Sequence, residues 1–490
     1  MEWVVLLPPI IAIALALWTR QVYLSLMAGV WIGTTILAGG NPVLGLRGLV
    51  DQVVVVFQDA GNTRVILFSL LVGGLIALVQ VSGGVAGFIA WVQARGWGRT
   101  RRSAELLAWL VGMFIFVESS ITSLTVGTLS RPFFDTLKLP REKLAYYCDA
   151  TSAPVCMTIP LNGWGAYVLG LLAAQGITAG AVGLLAQSLL FNFFSLLSIV
   201  FALGLALTGW GFGAMRRAED RARETGEVTR PGSTPMIAEE VADIRPVEGV
   251  AYRARDLIVP IAVMVGMIFV GLYITGKSNL AASGQAASGF WGMMAQASGS
   301  TSVLWAVGTA IGVAMILYAI PRPLRGGKPV LTLVQSTEWV LKGSSGLVGV
   351  VALLVLAFAL GQISRELEMG QYVVGLIGDD VPAWWLPGLV FLVGCFVSFT
   401  LGSSWTAFAI LIPIALPLAE GLGLSLPLML GAVLSGGVYG DHASPLSDTS
   451  IISSMSAACD HVDHVNTQLP YTLLLAGISF VVFLVAGLVV

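Results

Sequence analysis

The sequence predicts an all-α polytopic membrane protein with two inverted-topology repeats, each of about five spans plus a re-entrant hairpin, and with broken helices at the midplane. Three observations support this fold class. Only 11% of the 490 residues are charged, whereas soluble domains carry about a quarter. Apolar runs long enough to cross a bilayer recur along the chain. Short sequence matches recur, in the same order, in its two halves.

Eight apolar segments are predicted to form membrane-spanning helices, because about 20 apolar residues in a helix cross the hydrocarbon core. They are Val4–Trp18, Val22–Ala38, Val65–Val81, Val182–Leu207, Leu257–Ile274, Ser302–Ile320, Leu347–Ile363 and Tyr471–Val490. The complete arrangement is expected to have about ten spans. The net charge of -2 gives no sign of a nucleic-acid partner. The four cysteines form no CxxC pair, so we expect small apolar side chains and no disulfide framework.

A polar segment rich in Arg and Glu divides the chain. We predict a first transmembrane repeat over residues 1–210, a cytoplasmic linker over 211–256, and a second, inverted transmembrane repeat over 257–490. The matches between the halves include Tyr147–Ser152 against Tyr439–Ser444. Each match is short enough to arise by chance, but their common order favours an internal repeat.

The predicted inversion follows from the two hairpins. Ala104–Phe134 and Ala383–Leu418 are poor single spans, because Glu118-Ser-Ser interrupts the first and Gly402-Ser-Ser the second. A re-entrant hairpin enters and exits the membrane on the same face, so it adds no net crossing. Each half then has an odd number of spans, and the second half is inverted relative to the first. All but four of the 25 Lys and Arg residues then lie on the face of the linker, which the positive-inside rule assigns to the cytoplasm.

Breaks in apolar runs are costly at membrane depth unless they line a cavity, because lipid cannot satisfy the freed backbone groups. The chain has four such breaks, at Glu118–Thr122, Asp149–Pro154, Ser403–Thr406 and Asp441–Pro445. In transporters built from inverted repeats, such breaks meet near the midplane and present carbonyls, hydroxyls and helix ends to the substrate. The sequence therefore predicts a transport site formed by these four breaks.

Carboxylates and hydroxyls at the breaks are the oxygen ligands that a small hard cation prefers. Burial of a carboxylate favours its protonated form and a bound cation favours its ionised form, so one aspartate can exchange the two. The candidate cation-binding and proton-binding residues are Asp149, Asp441, Asp448, Glu118, Thr151, Ser152 and Ser444. Alternatively, Asp149 and Asp441 cap the half-helices that follow them, and Glu118 only anchors its hairpin tip.

The hairpin tips add a second group of candidates, which share a hydroxyl group. They are Ser119, Ser120, Thr122, Ser403, Ser404 and Thr406. Small polar residues also allow helices to pack closely in membranes, and that role is the alternative for each of them.

All three histidines lie between Gly440 and the end of the run Cys459-Asp-His-Val-Asp-His464. Because histidine titrates near neutral pH, we predict a pH-sensing or gating group there. Its members are His442, Asp460, His461, Asp463 and His464. For His442, a hydrogen bond to the backbone is an equal alternative. The run also suggests a structural metal, but its expected place at the cytoplasmic end favours a hydrogen-bonded gate or cap.

The segment Gly440-Asp-His-Ala-Ser-Pro-Leu-Ser-Asp-Thr449 and the run from Cys459 to Tyr471 closely resemble the signature of the NhaC-type sodium/proton antiporters, within the ion-transporter superfamily. The hairpin sequence Gly402–Pro413 resembles that family's second hairpin, and the resemblance extends over essentially the whole chain. The chain departs from the family's pattern where Trp405 directly precedes Thr406, because a further glycine is expected before this threonine. The departure bears on ion choice or on hairpin flexibility.

The resemblance implies a secondary active antiporter that exchanges sodium for protons across a bacterial inner membrane and serves pH homeostasis. Sodium and protons would be the transported species, membrane lipid would surround the protein, and neither a cofactor nor a metal beyond the transported sodium is expected. The alternative is a sodium-coupled or proton-coupled transporter or exchanger of a small organic acid, of the malate/lactate type, or of an amino acid.

The positions of the basic residues favour an inorganic cation, because every Lys and Arg lies outside the four breaks. A membrane enzyme is disfavoured, because the chain has no HExxH motif and its histidines are expected at the membrane edge. The sequence leaves open the choice among sodium, lithium and potassium, the stoichiometry, which aspartate carries the proton, and the oligomeric state, for which a homodimer is one alternative.

Overall fold

The computed structural model describes residues 2–19, 21–94, 100–116, 118–178, 180–235, 247, 252–282, 293, 297–321, 329–368, 372 and 382–489. Throughout these residues the regular structure is helical and no strand occurs. The predicted all-α class is therefore confirmed.

The first half of the chain contains the first hairpin and the first broken helix. Its helices are α1 (Leu7–Thr19), α2 (Val22–Leu37), α3 (Pro42–Gln58), α4 (Ala60–Val81), α5 (Gly84–Ala94), α6 (Arg101–Phe114), α7 (Ser119–Thr136), α8 (Arg141–Ala150), α9 (Ala153–Thr158), α10 (Gly163–Ala174), α11 (Ala181–Ser188) and α12 (Phe193–Thr208). The apolar run predicted as one span over Val182–Leu207 is thus two helices, separated at Asn192.

The second half follows α13 (Gly213–Glu224), which lies in the segment predicted as a linker. Its helices are α14 (Arg255–Ala282), α15 (Gly299–Ala319), α16 (Leu333–Ser345), α17 (Val348–Glu366), α18 (Leu386–Leu401), α19 (Ser404–Gly421), α20 (Leu426–Ala443), α21 (Asp448–Ala457) and α22 (His461–Val489).

The described residues contain seven helices that are long and apolar enough to cross a membrane, or up to nine if each of two bent helix pairs forms one span. One bent pair joins Arg141–Thr158 to Gly163–Ala174 at an angle of 45°. An integral membrane protein is therefore indicated. The ten spans and the inverted relation of the halves remain predictions.

The first hairpin consists of α6 and α7, and its tip lies where the sequence predicts it. Glu118 caps α7 by accepting a hydrogen bond from the backbone N–H of Ile121 at 2.9 Å. At the other end, the Arg101 guanidinium donates to the carbonyl of Lys138 at 3.0 Å, so the outer ends of both helices meet. The 14 residues of α6 extend only about 21 Å, less than the hydrocarbon core of about 30 Å.

The second hairpin consists of α18 and α19 and turns at Gly402. This glycine has φ +66°, and a Cβ atom there would lie 2.6 Å from the backbone of Leu446. Only glycine fits such a turn without strain. Ser403 caps α19 by accepting from the N–H of Thr406 at 3.4 Å. Unlike the first hairpin, both arms of the second, Ala383–Leu401 and Ser404–Gly421, are long and apolar enough to be spans.

The two broken helices are α8–α9 and α20–α21, and both break at predicted positions. The amide of Asn162 links the first broken helix to the first hairpin by hydrogen bonds. It donates to the carbonyl of Phe116 in the hairpin at 2.6 Å, and to those of Cys156 and Ile159 at 2.8 and 2.9 Å. The second break brings α21 against the first hairpin. A Cβ atom on Gly127 of α7 would clash with the Ser456 hydroxyl of α21, so these two helices pack closely.

A buried charge cluster joins α13 to the membrane helices. The ammonium of Lys143 lies 2.8 Å from a carboxylate oxygen of Glu105 on α6 and 2.6 Å from one of Glu219 on α13. The Lys143 side chain is 2% exposed. Buried charges are tolerated when they are paired in this way.

Further ion pairs continue along the segment after α13. Arg221 donates to Glu142 of α8 at 2.9 and 3.0 Å, and Arg230 donates to Asp463 of α22 at 2.8 and 3.0 Å. Residues 213–235 of the predicted linker are therefore folded against the membrane helices. The division into two repeats and a linker remains a prediction.

The charge cluster generates a prediction about stability. Lys143→Met keeps most of the length of the side chain but leaves the Glu105 carboxylate without a cation and Glu219 with only Arg216, at 3.8 Å, which should destabilise the fold by about 3–5 kcal/mol. Thermal unfolding of the purified protein in detergent measures this loss. Arg47→Met is the control, because Arg47 pairs with Asp51 while 81% exposed, and it should leave the unfolding temperature unchanged. Equal unfolding temperatures for both variants would contradict the structural role of the cluster.

The first hairpin generates a prediction about topology. Cysteines introduced at the exposed positions Arg102 and Thr136 should both react with an impermeant maleimide from the cytoplasmic face, because the outer ends of α6 and α7 lie together. The four native cysteines are buried and should give little background. Labelling of the two positions from opposite faces would exclude a hairpin that returns to one side.

Candidate functional site

A cavity of about 490 Å³ lies between the two hairpin tips and the second broken helix. The first hairpin contributes Glu118, Ser119 and Ser120, the second contributes Ser403, Trp405 and Thr406, and the second broken helix contributes Asp441, Asp448 and Thr449. The structure thus brings three of the four predicted breaks to one cavity, although they are distant in sequence.

Asp441 lies in the last turn of α20 and is held by hydroxyl groups from both sides of the break. Ser404, on the second hairpin, donates to one carboxylate oxygen at 2.6 Å, and Ser447 donates to the other at 2.7 Å. The Thr449 hydroxyl lies 3.2 Å from the carbonyl oxygen of Asp441. The side chain is buried in the protein and borders the cavity. These contacts orient the carboxylate towards the cavity and do not make it a cap for α21.

Asp448 and Glu118 place two further carboxylates at the same cavity. Asp448 begins α21 and is exposed to the cavity, whereas Glu118 is half-buried at the first hairpin tip. The hydroxyls of Ser119 and Ser120 each donate to Glu118 at 3.2 Å. Glu118 therefore both anchors its hairpin tip and borders the cavity. Within the described residues, neither these two carboxylates nor that of Asp441 forms an ion pair.

The other predicted hydroxyls are used by the backbone. Thr122 donates to the carbonyls of Ile115 and Glu118. At the first break, Thr151 donates to the carbonyl of Tyr147 at 2.7 Å, and Ser152 donates to that of Asp149 at 2.8 Å. At the second break, Ser444 accepts from the N–H of Leu446 at 3.1 Å. These contacts shape the breaks, and none of these four side chains borders the cavity.

Asp149 forms a second, fully buried cluster away from the cavity lining. One of its carboxylate oxygens accepts from the Ser450 hydroxyl at 2.7 Å and from the Gln468 amide at 2.8 Å. The same oxygen lies 3.3 Å from Nε2 of His464 and 3.5 Å from Nδ1 of His442. Two histidines and one aspartate therefore share a site from which the protein excludes solvent.

Several polar atoms of this cluster have no hydrogen-bond partner in the described part of the chain. They are Oδ1 of Asp149, Nε2 of His442, Nδ1 of His464 and Oε1 of Gln468. Buried polar atoms are normally satisfied, so a group of such atoms calls for an explanation, such as water or an ion. The described residues contain no group of three His, Cys, Asp or Glu side chains that could hold a metal ion.

Three members of the predicted gating group lie outside this cluster, at the start of α22 or just before it. Asp460 accepts from the N–H and the hydroxyl of Thr234 at 3.0 and 3.2 Å, and His461 lies between the Ser454 hydroxyl and the Pro445 carbonyl. Partial burial by itself would raise the pKa of Asp460, but hydrogen bonds, the first of them from the Thr234 N–H, hold it below its usual value. Asp463 pairs with Arg230.

Sequence reasoning placed His464 at the membrane edge and missed Gln468 altogether. The i, i+4 spacing of these two residues on α22 puts both on one helix face, which is the signal that could have identified them. It also missed Ser447, Thr449 and Ser450, although hydroxyls cluster directly after Asp441 in the sequence.

Known proteins are similar to this chain over very different lengths. An uncharacterized protein of Haemophilus influenzae is 34% identical over 492 residues, which cover 98% of this chain and 90% of that protein. The arginine/ornithine antiporter ArcD of Halobacterium salinarum is 39% identical over 107 residues, 22% of each chain. The malate-2H(+)/Na(+)-lactate antiporter of Bacillus subtilis is 35% identical over 100 residues, 20% of this chain and 21% of that one.

The fold is similar to that of a solved transporter. The crystal structure of the Alcanivorax borkumensis YdaH transporter superposes with a TM-score of 0.55, covering 90% of this chain and 88% of that chain at 14% identity. At this identity the similarity concerns the fold alone. The sequence itself matches the Na+/H+ antiporter family over residues 164–488, well over half of the chain. The chain therefore belongs to the Na+/H+ antiporter family, a family of membrane transporters, as the resemblance of its Gly440–Thr449 segment implied.

Proposed function

We propose that the protein exchanges sodium ions for protons across the bacterial inner membrane. The observation that supports this most directly is the chemistry of the cavity. Glu118, Asp441 and Asp448 border it together with hairpin hydroxyls, and no Lys or Arg is among its described lining residues. Such a site attracts a cation and offers it oxygen ligands.

Asp441 is the proposed cation ligand. Its carboxylate is already oriented by Ser404 and Ser447, so little side-chain entropy is lost when a cation binds. A dehydrating sodium ion would replace part of its water shell with this carboxylate and with neighbouring hydroxyl oxygens. Asp448 is exposed to the cavity, and we propose that an entering cation meets its carboxylate first.

Asp149 is the proposed proton carrier. Its two neighbouring imidazoles and its buried, unsatisfied polar atoms suit a group that gains and loses a proton away from bulk water. Ser450 connects the two sites, because its hydroxyl donates to Asp149 and lies 3.4 Å from the carbonyl oxygen of Asp441. A cation at Asp441 would then change the electrostatic environment of Asp149, which provides the coupling that exchange requires. The hairpins and broken helices would move against the remaining spans in alternating access.

Exchange of an organic solute is the second candidate function. The printed names of two relatives, an arginine/ornithine antiporter and a malate-2H(+)/Na(+)-lactate antiporter, favour it, although each similarity covers about a fifth of this chain. An organic acid would need a basic partner for its carboxylate, and the described cavity lining has none. Sodium/proton exchange is therefore preferred.

Reconstitution in liposomes with an internal pH indicator tests the proposal. Added sodium should alkalinise acid-loaded vesicles without any organic solute, whereas a flux that requires malate would establish the second function instead. Asp441→Asn preserves the shape of the side chain but removes its charge, so it should abolish the sodium-driven flux without lowering the unfolding temperature. Asp51→Asn is the matched control, because the Asp51 side chain is 65% exposed and far from the proposed ligands in sequence. A near-normal flux in Asp441→Asn would exclude Asp441 as the cation ligand.

The Asp149 cluster generates a prediction about pH dependence. Gln468→Leu removes a hydrogen-bond donor that stabilises the ionised carboxylate of Asp149, so Asp149 should release its proton only at higher pH. A hydrogen bond to a charged group contributes about 1.5–3 kcal/mol, which corresponds to an alkaline displacement of the activity profile by about 1–2 pH units. Sodium/proton exchange measured between pH 6 and pH 10 shows the displacement. Leu473→Ala, an exposed change on the same helix, should leave the profile in place. An unchanged profile in Gln468→Leu would exclude Asp149 as the carrier.

A further inference from the structure

One wall of the cavity is aromatic, and a sodium ion does not require it. Trp405 and Trp164 both border the cavity, with ring centroids 5.8 Å apart and planes at 76°. Tyr167 supports Trp405 from behind, since their ring centroids are 4.3 Å apart and the Tyr167 hydroxyl donates to the Trp405 carbonyl at 2.8 Å. The wall is thus held in place by packing and by a hydrogen bond.

The rest of the lining provides negative charge and a free hydroxyl. Glu118, Asp441 and Asp448 form no ion pair within the described residues. Thr406 is only 2% exposed and borders the cavity, and among the described contacts its hydroxyl donates no hydrogen bond. A buried hydroxyl in this position is available to a ligand in the cavity.

The size of the cavity also exceeds what a sodium ion needs. Its volume of about 490 Å³ lies within the range of about 300–1,000 Å³ typical of small-molecule sites. One water molecule occupies about 30 Å³ of liquid, so a partly hydrated sodium ion would fill only a small part of the cavity. A larger cation with an apolar stem would occupy both the carboxylates and the aromatic wall.

We propose that the same cavity binds and transports a protonated alkylamine, such as a short linear diamine, in exchange for protons. This inference rests on the proposed function, because it assigns a second cargo to the same cavity. An ammonium group donates hydrogen bonds to the carboxylates of Asp441 and Asp448, and the methylene stem packs against Trp405. The second ammonium of a diamine is attracted by the remaining carboxylate and by the faces of the aromatic rings. No bond is made or broken, and the amine charge is balanced by outward movement of protons.

Uptake of radiolabelled putrescine into acid-loaded proteoliposomes, in sodium-free buffer, tests the proposal. Protein-free liposomes measure permeation of the neutral amine. Uptake should be saturable, should alkalinise the interior and should be inhibited competitively by sodium. Trp405→Leu keeps an apolar side chain but loses the aromatic face, and it should lower the ratio of putrescine to sodium transport by about tenfold, whereas Trp405→Phe should largely restore it. Trp18→Leu, at a side chain that is 83% exposed and outside the cavity, is the control.

The outcomes separate this inference from the proposed function. Sodium/proton exchange without saturable putrescine uptake would overturn the amine proposal and leave sodium exchange standing. Equal losses of putrescine transport in Trp405→Leu and Trp18→Leu would likewise overturn the role of the aromatic wall. Putrescine uptake without any sodium-driven proton flux would support the amine as cargo while overturning the proposed sodium exchange.

Discussion

A helix that breaks inside the hydrocarbon core exposes N–H and C=O groups that lipid cannot bind, and each such group costs several kcal/mol unless the protein satisfies it. At three of the four breaks of this chain, nearby side chains satisfy such groups. Glu118 and Ser403 cap the helices that follow the hairpin tips, and the Asn162 amide binds three carbonyls around the first break. Because these partners are available only inside the protein, the breaks lie near its centre, and their polar side chains are concentrated there.

The two broken helices place their aspartates in different surroundings. Asp441 borders the cavity and is held by serine hydroxyls, whereas Asp149 is enclosed by imidazoles and an amide from other helices. The hairpin tips differ as well, because Glu118 caps α7 with a carboxylate whereas Ser403 caps α19 with a hydroxyl. Two segments that share a short sequence match thus place chemically distinct carboxylates, one at the cavity and one in the buried cluster.

The segment after the first half is also part of this arrangement. Lys143 lies on α8, the same helix as Asp149, and pairs with Glu219 of α13. Asp463 lies on α22, beside His464, and pairs with Arg230. The polar segment 213–235 therefore contacts two of the four helices that supply the Asp149 cluster, and its charges are satisfied by the membrane helices and not by solvent alone.

The sequence by itself determined the helical class, the places of the breaks, the candidate carboxylates and the resemblance to a family, since composition, interrupted apolar runs and short motifs are local properties. The tertiary structure decided which of these residues meet. His464 joins Asp149 across a separation of 315 residues, and Tyr167 supports Trp405 across 238 residues. Such pairs have no local signal, because neither helical period nor composition records how two distant helices are rotated and displaced when they pack. The helix rotation that buried His464, and left His461 three residues earlier at the edge, is therefore a property of the packed helices alone.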